Sequence, residues 1–243
     1  MNDLKGRKAL VTGGGVRVGK ILSLRLAQLG ADVAILSRDE SGAADETARE
    51  IAALGVRAAL VTGDLIEAET ADRAIAETVE DFGHLDILVN NASIFEQGHF
   101  ADLDLKSWSR MQRINLRAPL LLSRAFAAAL PADREGDIIN LNDIHAMNPR
   151  ADYFAYTHSK ASLHVLTGNL AAALAPRIRV NEIALGAVLP PAAPPEGYEH
   201  IARAQLPLDR FPTPEDAADA LQFLLGCPAV TGQTINIDGG ETL

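Results

Sequence analysis

The chain has 243 residues, a formal net charge of −10, 48% hydrophobic residues and one cysteine. The length suits a single α/β domain over 1–243 with a sizeable core. The acidic balance argues against nucleic acid and anionic membrane as partners, so any anionic ligand must be held by local cations and backbone dipoles. No stretch approaches the roughly 18 unbroken apolar residues of a membrane helix, and the opening MNDLKGRK lacks the apolar segment of a secretion signal. The expectation is a cytosolic protein that acts on a small molecule. Cys227 has no partner for an intrachain disulfide and reads as a buried small hydrophobe.

The first element is a strand, KALVTG (8–13), running into GGVRVGK (14–20). Glycines 13, 14, 15 and 19 between a strand and a helix (17–29) let backbone N–H groups and the helix dipole converge on an anion. Arg17 is out of character there, because a backbone that must approach a pyrophosphate favours a small residue. The second strand, VAILS (33–37), ends at Ser37-Arg38. A hydroxyl followed by a guanidinium suits the 2′-phosphate of NADP rather than the bare ribose of NAD. The neighbouring Asp39 and Glu40 weaken that case somewhat, the alternative being that all of these are solvated loop residues.

A helix over 41–54 leads to the third strand, AALVTG (58–63), followed by Asp64, placed to accept from an adenine amine. After a helix over 67–82, DILVNNA (86–92) ends over the cofactor position and continues Ser93-Ile94-Phe95, where the phenylalanine is either a stacking wall or a ring folded onto the core. A helix over 104–130 contains Pro119, which predicts a kink. DIINLN (137–142) precedes Asp143 and a helix over 153–174. On that helix Tyr156 and Lys160 lie four apart, hence on one face, and the ammonium is expected to draw the phenol pKa down from about 10. Tyr153 has Thr157 four residues on and no such cation, so it reads as a decoy.

The sixth strand, RVNEIAL (179–185), is followed by LPPAAPPEG (189–197), read equally as a substrate lid or a plain connection. A helix over 214–225 and the strand TINIDGG (234–240) close the chain. Seven unalternating Val, Ile and Leu rich runs separated by helix-length segments predict a doubly wound parallel sheet of Rossmann type, covered on both faces. His145 and His158 lie near the chemistry in sequence, lack metal-ligand spacing and read as polar rim residues, so no metal is expected.

Thr12-Gly13 with Gly19, Asp64-Leu65, LDILVNNA (85–92), Asn115, Tyr156 with Lys160, RVNEIALG (179–186) and VTGQTINIDGG (230–240) occur in order along the whole chain. In this the sequence resembles the short-chain dehydrogenase/reductase family. The resemblance implies a nicotinamide cofactor bound through Gly13, Gly15, Arg17, Val18, Gly19, Ser37, Arg38, Asp64, Leu65, Asn91, Ala92, Ser93, Tyr156, Lys160, Gly186 and Val188. It also implies that Lys160 holds the nicotinamide ribose, that Asn115 fixes its helix and a relay water, and that the protein is a homotetramer packed through its fourth and fifth helices, or else a dimer.

The family usually has serine thirteen residues before the tyrosine, where this chain has Asp143, and an ionised carboxylate has no hydrogen to give a ketone oxygen. It usually has Pro-Gly where this chain has Leu185-Gly186. Arg17, the run NNASIF and Asp143 together resemble the pteridine reductase branch. That branch implies a pterin sandwiched between nicotinamide and Phe95, contacts from Arg17 and Ser93, and protons handled by Asp143 and Tyr156. The expected activity is NADPH-dependent reduction of a C=N bond. The competing readings are a carbonyl reductase for 3-oxoacyl thioesters or sugars, in which Asp143 works protonated, and an NADP-binding sensor without catalysis.

Overall fold

The computed structural model describes residues 3–38, 42–188 and 206–243. Each short apolar run becomes a strand: β1 (Lys8–Thr12), β2 (Asp32–Ser37), β3 (Ala58–Thr62), β4 (Ile87–Asn90), β5 (Gly136–Asp143), β6 (Ile178–Leu185) and β7 (Thr234–Ile237). The strands form one seven-stranded sheet in the order β3-β2-β1-β4-β5-β6-β7, every neighbouring pair parallel. Between them run α1 (Arg17–Gln28), α2 (Ala43–Ala53), α3 (Glu69–Phe82), α4 (Leu105–Gln112), α5 (Ala118–Ala129), α6 (Phe154–Leu174) and α7 (Pro214–Gly226).

The missing alternation in the strands has a direct cause: both faces of the sheet are buried. On one face Ala9, Val11, Ile87 and Val89 pack with Leu22 and Leu26 of α1 and Leu221 and Leu224 of α7. On the other, Leu10, Leu88 and Ile138 pack with Ile75 of α3, Phe126 of α5 and Ala171 of α6. Each fully buried Leu or Ile contributes about 1.5–3 kcal/mol relative to exposure, so successive strand positions are apolar whichever way they point. The winding reverses between β1 and β4, which opens a crevice at their carboxyl ends.

Several boundaries differ from the sequence reading. β4 stops at Asn90 because the Thr12 hydroxyl takes the amides of Asn91 (3.0 Å) and Ala92 (2.9 Å) out of the ladder. β5 extends through Asp143, which makes that residue the last of its strand. β7 ends at Ile237, since Gly239 and Gly240 turn with positive φ.

The helix read as kinked at Pro119 instead passes through a π-helical segment, Arg113–Arg117, with Pro119 just inside α5. Proline has no N–H to give the carbonyl four residues back, and its ring crowds that carbonyl, so the chain widens the turn ahead of it. Asn115 sits inside this wider turn. Cys227 follows α7 and is half-buried, because it lies at the helix end rather than on its inner face; its carbonyl accepts from Arg179 at 2.7 Å. The segment 189–197 and Asp39 and Glu40 lie outside the described residues. Among the described residues no helix is long and apolar enough to cross a membrane.

Candidate active site

The loop after β1 is as tight as its glycines suggest. A Cβ on Gly19 would lie 2.2 Å from the Gly13 carbonyl oxygen, and one on Gly15 would lie 2.8 Å from the Ala44 backbone of α2. Both positions therefore exclude any side chain, and Thr47 closes the packing by donating to the Gly15 carbonyl at 2.9 Å. Val18 is buried against the same core, and Asn91 Nδ2 ties the loop to the end of β4 through the carbonyls of Thr12 (2.8 Å) and Gly13 (3.2 Å).

Arg17 has φ of 52°, in the left-handed region that favours glycine, and its side chain is exposed at the start of α1. This explains why a small residue is the ordinary choice there, and it marks the arginine as held at a cost of about 1–2 kcal/mol. Replacing Arg17 with Gly is expected to raise thermal stability by about 1 kcal/mol while weakening binding of the anionic cofactor. Calorimetry together with a cofactor titration reads both effects; a destabilised variant would contradict the backbone account.

Around the crevice, Arg38 is 73% exposed, and its Nη1 lies 3.7 Å from Asp64 Oδ2. Asp64 Oδ1 accepts the Ile66 amide at 2.9 Å, and Leu65 is buried beneath. An adenosine entering here meets a carboxylate already facing a guanidinium, a pairing the sequence did not reveal. Ser37 closes β2 beside Arg38, and Gly186 and Val188 lie past β6, where a Cβ on Gly186 would press to 3.0 Å on Asp238. The tight glycine loop, the helix start and the exposed Arg38 at the end of β2 fit a phosphorylated dinucleotide; Gly13, Gly15, Val18 and Gly19 would take its pyrophosphate and Arg38 its 2′-phosphate.

Tyr156, Lys160 and Asp143 come together as their spacing implies, with electrostatics different from the expected ones. The Tyr156 hydroxyl donates to Asp143 Oδ2 at 2.8 Å, while Asp143 Oδ1 accepts the His145 amide at 2.8 Å. Burial and then the Asp143 carboxylate push the Tyr156 pKa well up, not down. Lys160 Nζ lies 5.9 Å from the Tyr156 ring centre and donates instead to the Leu141 carbonyl at 3.0 Å. Burial lowers the Lys160 pKa from 10.5 to about 8, against the opposing pull of Asp143 and Glu182. Because folding depresses this pKa, the ammonium destabilises the fold fully below about 8, and that cost lifts as pH rises toward 10.5.

Asn115 acts as a clamp. Its Oδ1 accepts from the Ile94 amide (2.9 Å) and Ser93 Oγ (3.1 Å), and its Nδ2 donates to the Ile94 carbonyl (3.0 Å) and Ser159 Oγ (3.0 Å). The loop after β4 is thereby fixed to α6 one turn from the tyrosine.

Beyond the clamp Phe95 is 59% exposed. It stacks on Tyr153 with ring centres 4.5 Å apart and meets Tyr156 edge-on at 4.6 Å. Phe95 is thus not folded onto the core, and the supposed decoy Tyr153 supports it, with the Arg150 guanidinium 5.2 Å from the Tyr153 ring centre. The α6 spacing gave no warning of this, because the partner comes from a loop 58 residues away. His145 Nδ1 faces the Asn148 carbonyl at 3.2 Å and His158 Nδ1 faces Gln112 at 3.0 Å, both at the surface.

A sequence-family profile described as enoyl-(acyl carrier protein) reductase matches residues 16–242. The 3-oxoacyl-acyl-carrier-protein reductase of Synechocystis is 32% identical over the full length of both chains. Among solved structures, the FolM alternative dihydrofolate reductase 1 of Brucella canis, in complex with NADP, is 34% identical, with 97% of this chain and 93% of that one covered and a TM-score of 0.90. A short-chain dehydrogenase of Burkholderia cenocepacia, also with NADP, is 35% identical over 100% of both chains, with a TM-score of 0.92. Fold, crevice and sequence agree over the whole length: the chain belongs to the short-chain dehydrogenase/reductase family of oxidoreductases.

Proposed function

We propose that the protein is an NADPH-dependent reductase of C=N bonds in flat nitrogen heterocycles of the dihydropterin class. The observation that carries this reading is the Tyr156 hydroxyl given to the Asp143 carboxylate at 2.8 Å. With its proton committed there, the pair offers a substrate an acceptor rather than two donors. A ring bearing N–H groups satisfies that acceptor, whereas a ketone oxygen meets like charge. Phe95 supports the same class, since an exposed ring beside the tyrosine gives a planar substrate a face to lie against. The dihydrofolate reductase named among the solved structures is consistent with it.

The nicotinamide, when bound, supplies the hydride. The chain supplies the rest: Arg17 and Arg38 neutralise phosphate, Lys160 holds the ribose, Ser93 and Phe95 orient the ring, and Asp143 accepts from a ring N–H, which frees Tyr156 to deliver a proton that the Lys160 ammonium replaces. Exposed Leu105 and Leu120 on the helical run 105–129 and Val165 on α6 support the tetramer built through these helices.

The test is NADPH oxidation with dihydrobiopterin or dihydrofolate against acetoacetyl thioesters. We expect kcat/KM to favour the dihydropterin by about 10² or more, because a site built around a substrate N–H penalises its absence. The relative named as a 3-oxoacyl reductase supports the second reading, a carbonyl reductase. Ketoacyl turnover without pterin reduction would establish that reading instead.

A further inference from the structure

Behind Lys160 lies a charged group that the chemistry above does not use. Glu182, on β6, has 0% exposure. Its Oε2 accepts from Asn142 Nδ2 at 2.9 Å and Thr167 Oγ1 at 3.1 Å, and its Oε1 faces His164 Nδ1 at 3.0 Å and Thr234 Oγ1 at 3.1 Å. Partners from β5, α6 and β7 thus converge on one buried carboxylate. Asn142 carries the arrangement to the reacting groups. The same Nδ2 donates to the Lys160 carbonyl at 3.1 Å, and Asn142 Oδ1 accepts the Asp143 amide at 2.9 Å.

We propose that Glu182 is a positioning residue for the Asp143, Tyr156 and Lys160 site. Through Asn142 it fixes the end of β5 against α6, and through its charge it favours the Lys160 ammonium. A buried carboxylate is costly unless its lone pairs are filled, and here they are filled by groups that also hold the two catalytic elements. The charged and titratable groups around this strut are Lys160, Tyr156 and His164 on α6 and Asp143 on β5; β7 contributes the neutral hydroxyl of Thr234. His164, with a side chain 37% exposed, is the face the strut turns to solvent.

The experiment uses Glu182→Gln, which keeps the shape and removes the charge, with Thr234→Val as a partner that removes one bond and leaves the charge. The proposal rests on the enzyme reading but not on the pterin. The assay therefore takes whichever of the dihydropterin or ketone substrates the wild type reduces, and fluorescence titration of NADPH reads the site without turnover. The pH profile of kcat/KM for NADPH reports groups of the free enzyme.

For Glu182→Gln we expect a fall in kcat on the order of tenfold, as misplacement of catalytic groups produces, and an alkaline limb moved toward lower pH, since the ammonium loses its support. In NADPH binding, the same loss of affinity at alkaline pH should begin at lower pH. Thr234→Val should lower kcat less and leave the limb in place. If Glu182→Gln lowers the melting temperature but moves neither limb, or if both variants shift the limb alike, Glu182 only supports the fold and the proposal fails. Should Glu182→Gln not fold, His164→Gln carries the test: it keeps a donor to Glu182 and should preserve kcat and limb, and a tenfold loss there would overturn the role assigned to the carboxylate.

Discussion

Replacing Tyr156 with Phe is expected to reduce kcat by about 10² to 10⁴, the usual contribution of a positioned proton donor, with a much smaller change in cofactor affinity. The ring would keep its buried place and its edge contact with Phe95, so the variant removes one oxygen and little packing. The oxygen matters because it is a neutral donor in this site: burial and Asp143 hold its proton on, and Asp143 Oδ2 receives it at 2.8 Å. Steady-state turnover with NADPH, set beside a binding titration, checks the prediction. Loss of binding equal to the loss of turnover would mean that Tyr156 builds the cofactor site rather than handling protons.

The second large effect is expected from Asp143→Ser. Serine keeps the turn, because its hydroxyl can accept the His145 amide as Asp143 Oδ1 does at 2.8 Å. It replaces an acceptor beside Tyr156 with a donor. Dihydropterin reduction should fall by about 10 to 10², the scale set by leaving one buried polar group without its partner, and reduction of simple ketones should rise. The Tyr156 pKa should also fall once the neighbouring carboxylate is gone, moving any limb that belongs to it toward lower pH. Paired assays on a dihydropterin and a ketone decide the matter. Undiminished pterin reduction in the serine variant would show that the aspartate does not read the substrate.

Sheet, winding and crevice were legible in the sequence because burial on both faces writes itself as unbroken apolar runs such as VAILS and DIINLN. The tyrosine and lysine were legible because helix spacing alone puts them on one face. The direction of the Tyr156 pKa was not. It depends first on burial, which disfavours the phenolate, and then on whether the nearest charge is Lys160 or Asp143, where a strand residue thirteen positions upstream won over a helix neighbour four positions downstream. Tyr153 was misjudged for a related reason: its role comes from a loop aromatic, and chain-distant pairs leave no periodic trace. Glu182 reads in sequence as one polar letter within RVNEIAL, and only the fold shows four polar side chains from three elements meeting on it.

The wide turn at Arg113–Arg117 makes the geometry at Asn115 depend on chain length as well as on residue identity. An α-helix advances roughly 100° per residue, so losing one residue from this turn would swing every later side chain of α5 around its axis unless the turn reverted to α geometry. Either way the clamp between Ser93, Ile94 and Ser159 would open while every side chain in it was still present. In a comparison of related chains, a one-residue deletion at this place would therefore count as the loss of a functional group, although no column of the alignment would show a changed letter at the asparagine.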